Sequence, residues 1–123
     1  MAKKTEGKHT GEYILTEANG SRSRDQAKVA SGAGKVQAGT ILGKVTASGK
    51  YVPHAPAAED GSQTAVAILY ANVDATSVDA LCVITARDSE VKGADLIYNA
   101  ATDTDAEKLA VHTALASNGI IVR

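Results

Sequence analysis

The sequence predicts a mainly β domain with one short helix near its C-terminus. Three observations lead there. Apolar residues come in short runs bounded by turn-forming residues, Ala65-Val66-Ala67-Ile68-Leu69-Tyr70-Ala71 being the most apolar. One stretch, Thr104 to Glu107, carries helix-start chemistry. The length, 123 residues, suits one domain.

Residues 1–12, MAKKTEGKHTGE, are polar and show no periodicity, which is expected of a disordered arm. Tyr13-Ile14-Leu15-Thr16 is a brief β-prone patch within that polar region. Two readings stay open for it. It can add as a strand to a sheet edge on another chain, or it can pack on its own domain as a first strand. Asn19-Gly20-Ser21 is a turn, and Ser21-Arg22-Ser23-Arg24 places two arginines two positions apart. Those arginines suit either a solvated surface or contact with an acidic partner. Gln26 to Ala30 is a possible short strand. Gly32-Ala33-Gly34-Lys35 fails the phosphate-loop pattern, because Val36 replaces the required Ser or Thr and Val29 replaces the leading Gly.

The stretch from Gly39 to Asp74 organises the chain. Thr40-Ile41-Leu42 precedes Gly43, Ala47-Ser48-Gly49-Lys50 turns the chain, and Tyr51-Val52 returns it to Pro53 and Pro56. Glu59-Asp60-Gly61-Ser62 resets the direction before the Ala65–Ala71 run. That run is too short for a membrane span, which needs ~20 residues. Alternation separates Val66, Ile68 and Tyr70 from Ala65, Ala67, Leu69 and Ala71, predicting a central strand covered on both faces. A buried helical turn is the competing reading.

Val78 to Ala86 is predicted as another strand, followed by a charged turn at Arg87-Asp88-Ser89-Glu90. Val91 to Tyr98 fits a strand or a short helix equally. Thr104 as N-cap and Glu107 three residues later form a capping box. Asp103 and Asp105 lie near the positive end of the helix dipole. The helix is expected from about Asp105 to Ser117, with Asn118-Gly119 ending it. Its inner stripe is expected to be Ala106, Leu109, Ala110 and Thr113, with Val111 and Leu115 beside it. Ile120-Ile121-Val122 then makes a final strand.

Composition narrows the function classes. The net charge is −1, with +3 on residues 1–35 and −4 on residues 36–123, so the chain is neither strongly basic nor strongly acidic. Phe and Trp are absent, and Ala supplies 23 of the 54 hydrophobic residues. Each Ala buries little area at ~25 cal/mol per Å². A core built this way is expected to be marginal alone, with association adding burial. The single Cys82 allows no intramolecular disulfide and reads as a buried structural thiol. The N-terminus lacks the apolar segment of a signal peptide, which predicts synthesis in a cytoplasm.

Candidate chemistry is sparse. His9, His54 and His112 are far apart, and none has a Cys or carboxylate at metal spacing. Ser62 lacks the nucleophile-elbow glycines. Glu59-Asp60 and Asp103/Asp105 are explained by a turn and a helix start. No catalytic, cofactor or metal site is expected, and the near absence of aromatic residues argues against stacking on single-stranded nucleic acid.

An ordered series of features carries a resemblance. Ala38-Gly39-Thr40-Ile41-Leu42-Gly43, Gly49-Lys50-Tyr51-Val52, Ala55-Pro56-Ala57-Ala58 and Asp60-Gly61-Ser62-Gln63-Thr64-Ala65-Val66-Ala67-Ile68-Leu69 follow one another with matching order and spacing. The resemblance covers about a hundred residues, from near Ser23 to the C-terminus. This series resembles the head decoration proteins of tailed bacteriophages, the family of the phage lambda head decoration protein. The chain departs from the lambda protein in lacking its tryptophans and in having a longer N-terminal region.

The resemblance implies a compact β-clip-like domain with a flexible N-terminal arm, assembling as a trimer. Residues 1–16 would be the arm and 17–123 the decoration domain. The protein would not be an enzyme. It would be made in the host cytoplasm and sit on the outer surface of the expanded capsid at three-fold sites, stabilising the head against DNA pressure. Its partners would be the major capsid protein and itself as a homotrimer, with no direct nucleic acid and no membrane. Capsid binding is assigned to Tyr13, Ile14 and Leu15, supported by Arg22 and Arg24. A second functional class is a small oligomeric β module binding a ligand or a partner protein in a non-viral complex. The hairpin at Ser48-Gly49-Lys50 resembles a lipoyl-type carrier tip, but Lys50 lacks the Asp-Lys setting of that family.

Overall fold

The computed structural model describes residues 8–123. Ten strands and one α-helix follow in chain order among them: β1 (Ile14–Glu17), β2 (Arg24–Val29), β3 (Gly34–Val36), β4 (Ile41–Lys44), β5 (Tyr51–Pro53), β6 (Ala65–Leu69), β7 (Val73–Ala75), β8 (Ala80–Thr85), β9 (Ser89–Val91), α1 (Asp105–Ala116) and β10 (Ile120–Val122). The expected class, mainly β with one C-terminal helix, is what the chain adopts.

Five strands close into a small barrel in the order β2-β5-β4-β6-β8. β6 is central, pairing antiparallel with β4 on one side and β8 on the other. Closure comes from a parallel step between Val29 of β2 and Tyr51 of β5. The β4–β5 hairpin turns through Gly49 at φ 73°, a left-handed conformation open to glycine at little cost. Gly43 is needed for a different reason. A Cβ there would sit 2.4 Å from the Ser62 carbonyl oxygen, so the strand and its neighbouring loop approach as closely as backbone allows.

Two apolar clusters result. The barrel interior holds Val29, Val36, Leu42, Ala67, Leu69, Ala75, Cys82 and Ile84. Outside the barrel wall, a second layer joins Ile41, Ala65 and Ile68 to Tyr13, Val91, Leu96, Val111, Leu115 and Ile120. Ile68 and Leu69, adjacent in β6, thus serve different cores, and the strand is covered on both faces as expected. Cys82 is a free, buried thiol, and burial pushes its pKa up.

The outer layer is closed by a sheet ordered β1-β9-β10. β1 runs antiparallel to β9, and β10 runs parallel to it. A short β3–β7 ribbon completes the set.

Three expectations are corrected here. Ser89 and Glu90 belong to β9 rather than to a charged turn, because Ser89 is held between Glu17 of β1 and Ile120 of β10. Only Arg87-Asp88 turns, with Asp88 at φ 51°. β8 begins at Ala80, leaving Val78 in the preceding bend. Finally, α1 is rotated from its expected orientation. Val111 and Leu115 are buried, whereas Ala106, Leu109, Ala110 and Thr113 are exposed. Val111 and Leu115 are four apart and bulky, so they form the better ridge against β6 and β10. The expected cap holds: the Thr104 hydroxyl accepts the Glu107 amide at 3.2 Å and donates to the Glu107 carboxylate at 2.8 Å.

Candidate interaction surface

The five residues expected to bind a capsid lie near one end of the outer sheet, in different roles. Of the two readings of Tyr13–Thr16, the structure has the strand on its own domain: Ile14 pairs with Val91, Thr16 with Glu90 and Glu17 with Ser89. β1 is an edge strand, so its outer side has no strand partner among the described residues. Unpaired edge backbone is a template for an additional strand. Of the expected arm, residues 1–7 lie outside the described residues.

Tyr13 is an anchor. It is fully buried, and its hydroxyl shares a 2.6 Å hydrogen bond with Thr85 Oγ1 on the barrel wall. Burial pushes its pKa well above the ordinary tyrosine range. Ile14 packs beside it at the margin of the outer core. Leu15 differs from both. It is the extra residue where the β1–β9 register slips between Ile14 and Thr16, and this bulge leaves its side chain 51% exposed.

The arginines also divide. Arg24 binds the Glu17 carboxylate through Nε and Nη2, and its guanidinium stacks 4.2 Å from the Tyr70 ring centroid. Glu17 also accepts from the buried Ser23 hydroxyl at 2.9 Å. Arg24 therefore clasps the end of β1 to the start of β2, and the Glu17 hydrogen bond raises its pKa. Arg22 is exposed, and among the described residues its carbonyl accepts from Arg87 Nη1 at 2.7 Å.

The chain entering β1 is fixed as well. The Gly11 amide donates to the Tyr70 carbonyl at 2.9 Å, and a Cβ at Gly11 would meet the Tyr70 ring at 2.9 Å. Asn72 Nδ2 donates to the Lys8 carbonyl at 3.1 Å.

The sequence reading missed three residues on this sheet. Glu90 sits between β1 and the C-terminal residue: Thr16 Oγ1 donates to Oε1 at 3.1 Å and Arg123 Nε to Oε2 at 2.7 Å. Hydrogen bonds from Arg123 and then Thr16 lower its pKa. Ile121 lies opposite Glu90 in the register and is partly exposed. Leu15, Ile121, Glu90 and Arg123 thus present an apolar and charged face across the sheet. No local signal in the sequence links position 16 to positions 90 and 123.

Elsewhere, a cleft beside Val36, Ile41, Ile97 and Tyr98 contains His54, whose Nε2 is 3.0 Å from the Gln63 carbonyl oxygen. Among the described residues, no carboxylate lines this cleft. Among the described residues, no three potential metal ligands gather, and no helix is long and apolar enough to cross a membrane.

No curated protein matches the chain. The sequence model of one family, described as Bacteriophage lambda head decoration protein D, matches residues 3–120. That span covers the barrel, β1, β9 and the helix and ends at the first residue of β10, and it agrees with the ordered series from Ala38 to Leu69. The chain therefore belongs to the bacteriophage lambda head decoration protein D family.

Proposed function

We propose that this protein binds the outer surface of the expanded phage capsid as trimers at three-fold sites and stabilises the head against the pressure of packaged DNA. The family match over residues 3–120 carries the reading. An edge strand with an open outer side supports it. The mechanism is mechanical. Each trimer bridges neighbouring shell subunits and adds contact area, and no bond is made or broken. The β-clip frame implied by the resemblance belongs to the same proposal, as do synthesis in the host cytoplasm and the absence of nucleic-acid and membrane partners.

In this reading β1 accepts a strand of the major capsid protein along its open edge, with main-chain hydrogen bonds supplying affinity. Leu15 and Arg22 offer side chains to the shell. Tyr13, Ile14 and Arg24 hold β1 in place, as their burial and pairing require. Three arms per trimer let weak single contacts sum to durable attachment.

The test is co-sedimentation with phage heads stripped of decoration, before and after shell expansion. Binding to expanded heads only, saturating at three copies per three-fold site, is the expected result. A chain that pellets with neither form overturns the reading. Deleting residues 1–16 also removes Tyr13 from the core, so a point substitution separates binding from folding better. Leu15→Glu is expected to change stability by less than about 0.5 kcal/mol, as surface substitutions do, and to abolish pelleting. Normal pelleting by that variant removes Leu15 from the contact.

A further inference from the structure

We infer that Asn19 is a site of spontaneous covalent modification in the folded chain, converted to aspartate and isoaspartate, while the chain's other Asn-Gly pair is protected by the fold.

An asparagine followed by glycine is prone to cyclise, because glycine sets no Cβ in the way of the attacking main-chain nitrogen. The chain has two such pairs, Asn19-Gly20 and Asn118-Gly119. Sequence alone ranks them alike, and the structure separates them.

Asn19-Gly20 lies in the connection between β1 and β2, and every residue from Asn19 to Arg22 is exposed. Among the described residues, neither the Asn19 side chain nor the Gly20 amide has a hydrogen-bond partner. A Cβ at Gly20 would meet nothing within 4 Å, so the space around the forming ring is open. The other three asparagines are all engaged. Asn72 Oδ1 accepts the Ala38 amide at 2.7 Å, Asn99 Nδ2 donates to the His54 carbonyl at 3.0 Å, and Asn118 Nδ2 donates to the Ala114 carbonyl at 3.4 Å.

Asn118-Gly119 is held through its main chain as well. The Gly119 amide donates to the Ala116 carbonyl at 2.9 Å, and the Gly119 carbonyl accepts the Ser89 amide at 3.1 Å. A Cβ at Gly119 would stand 3.2 Å from the Asp88 nitrogen, and the next residue, Ile120, is fully buried at the start of β10. The Gly119 nitrogen reaches the Asn118 side chain only after these bonds open locally.

The chemistry at Asn19 needs only water. The Gly20 nitrogen attacks Asn19 Cγ and gives up its proton, the Cγ–Nδ2 bond breaks, and ammonia leaves a five-membered succinimide. Water then opens the ring. Cleavage of the bond from the Gly20 nitrogen to Cγ gives aspartate, and cleavage of its bond to the Asn19 carbonyl carbon gives isoaspartate. Either product puts a new carboxylate, ionised at neutral pH, three residues before Arg22. Isoaspartate also adds a carbon to the main chain inside the connection that Glu17 and Arg24 clasp closed.

The test incubates the full chain at mildly alkaline pH, folded and in urea, and follows each asparagine by peptide mass spectrometry. Isoaspartate is counted by labelling with an isoaspartyl methyltransferase. In the folded chain Asn19 is expected to convert at least about tenfold faster than Asn118, which must open first. In urea the two rates are expected to converge. Asn19→Ser is expected to remove the main acidic species from aged protein while leaving far-ultraviolet circular dichroism unchanged. Equal rates in the folded chain, or an Asn19 that converts only in urea, overturn the inference. A difference that persists in full in urea assigns it to the flanking residues and overturns the protective role of the fold.

Discussion

The barrel interior and the outer layer are two cores of similar residue count built in different ways. The interior is filled by barrel-strand residues together with Val36 of β3 and Ala75 of β7, with three small side chains, Ala67, Ala75 and Cys82, among its eight buried members. Its strands meet mainly through antiparallel pairs such as β4–β5 and β6–β8. The outer layer collects residues from far apart in sequence: Tyr13 near the start, Val91 and Leu96, and Val111 to Ile120 near the end. It contains the only buried aromatic residue among those described, Tyr13, and it carries the open edge strand. The barrel strands close on one another, whereas the outer layer joins β1 to the C-terminal strand β10 and leaves the outer side of β1 without a strand partner among the described residues.

The largest expected effect breaks the outer layer. Tyr13→Ala removes a fully buried aromatic ring and should cost about 3–5 kcal/mol in urea unfolding. Hydrogen exchange is expected to show β9 and β10 amides losing protection before those of β2 and β8. Equal loss in both regions makes the two cores one cooperative unit and ends the distinction.

A smaller effect sharpens the comparison from the other side. Gly43→Ala places a methyl group 2.4 Å from the Ser62 carbonyl oxygen, with backbone on the receiving side. Overpacking of this kind costs about 1–3 kcal/mol. The loss should appear in global unfolding while the folded protein still pellets with heads. A variant as stable as the wild type shows that the Ser62 loop yields more readily than its contacts with Gly43 imply.

The smallest effect concerns the helix side of the outer layer. Tyr98 and His112 share a 2.6 Å hydrogen bond between Oη and Nε2, and Lys108 Nζ lies 5.3 Å from the Tyr98 ring centroid. Burial and then Lys108 lower the His112 pKa in the folded protein. As pH falls from the unfolded value of about 6.5 towards the lower folded one, the unfolded chain binds more protons than the folded one, so stability drops as the pH drops. A melting temperature that declines over that window in the wild type and stays flatter in His112→Gln is the expected result. Identical slopes remove His112 from the acid response.

Some of this architecture was legible in the sequence. The turn at Gly49, the loop at Gly61-Ser62 and the cap at Thr104 are read from a few adjacent residues, because backbone conformation there is set locally. The Ala65–Leu69 strand was legible from length and bounding turns. The candidate surface was legible only in part. Tyr13, Ile14 and Leu15 were found as a β-prone patch, but their separation into a buried anchor, a packed neighbour and an exposed residue depends on a bulge opposite Val91 and Glu90. Arg22 and Arg24 look alike in sequence, and only Glu17 and Tyr70 make one of them a clasp. The two stripes of α1 are similar in apolar content, and which one turns inward is decided by the surfaces of β6 and β10.

By itself the sequence determined the class, the turns, the helix and the resemblance, since these rest on local backbone preference and on the order of short motifs. The tertiary structure decided the closure of the barrel, the assignment of Ser89 and Glu90 to a strand, and which apolar side chains stay open to a partner. Each of those depends on pairing between residues tens of positions apart, where the free energy of burial outweighs local preference.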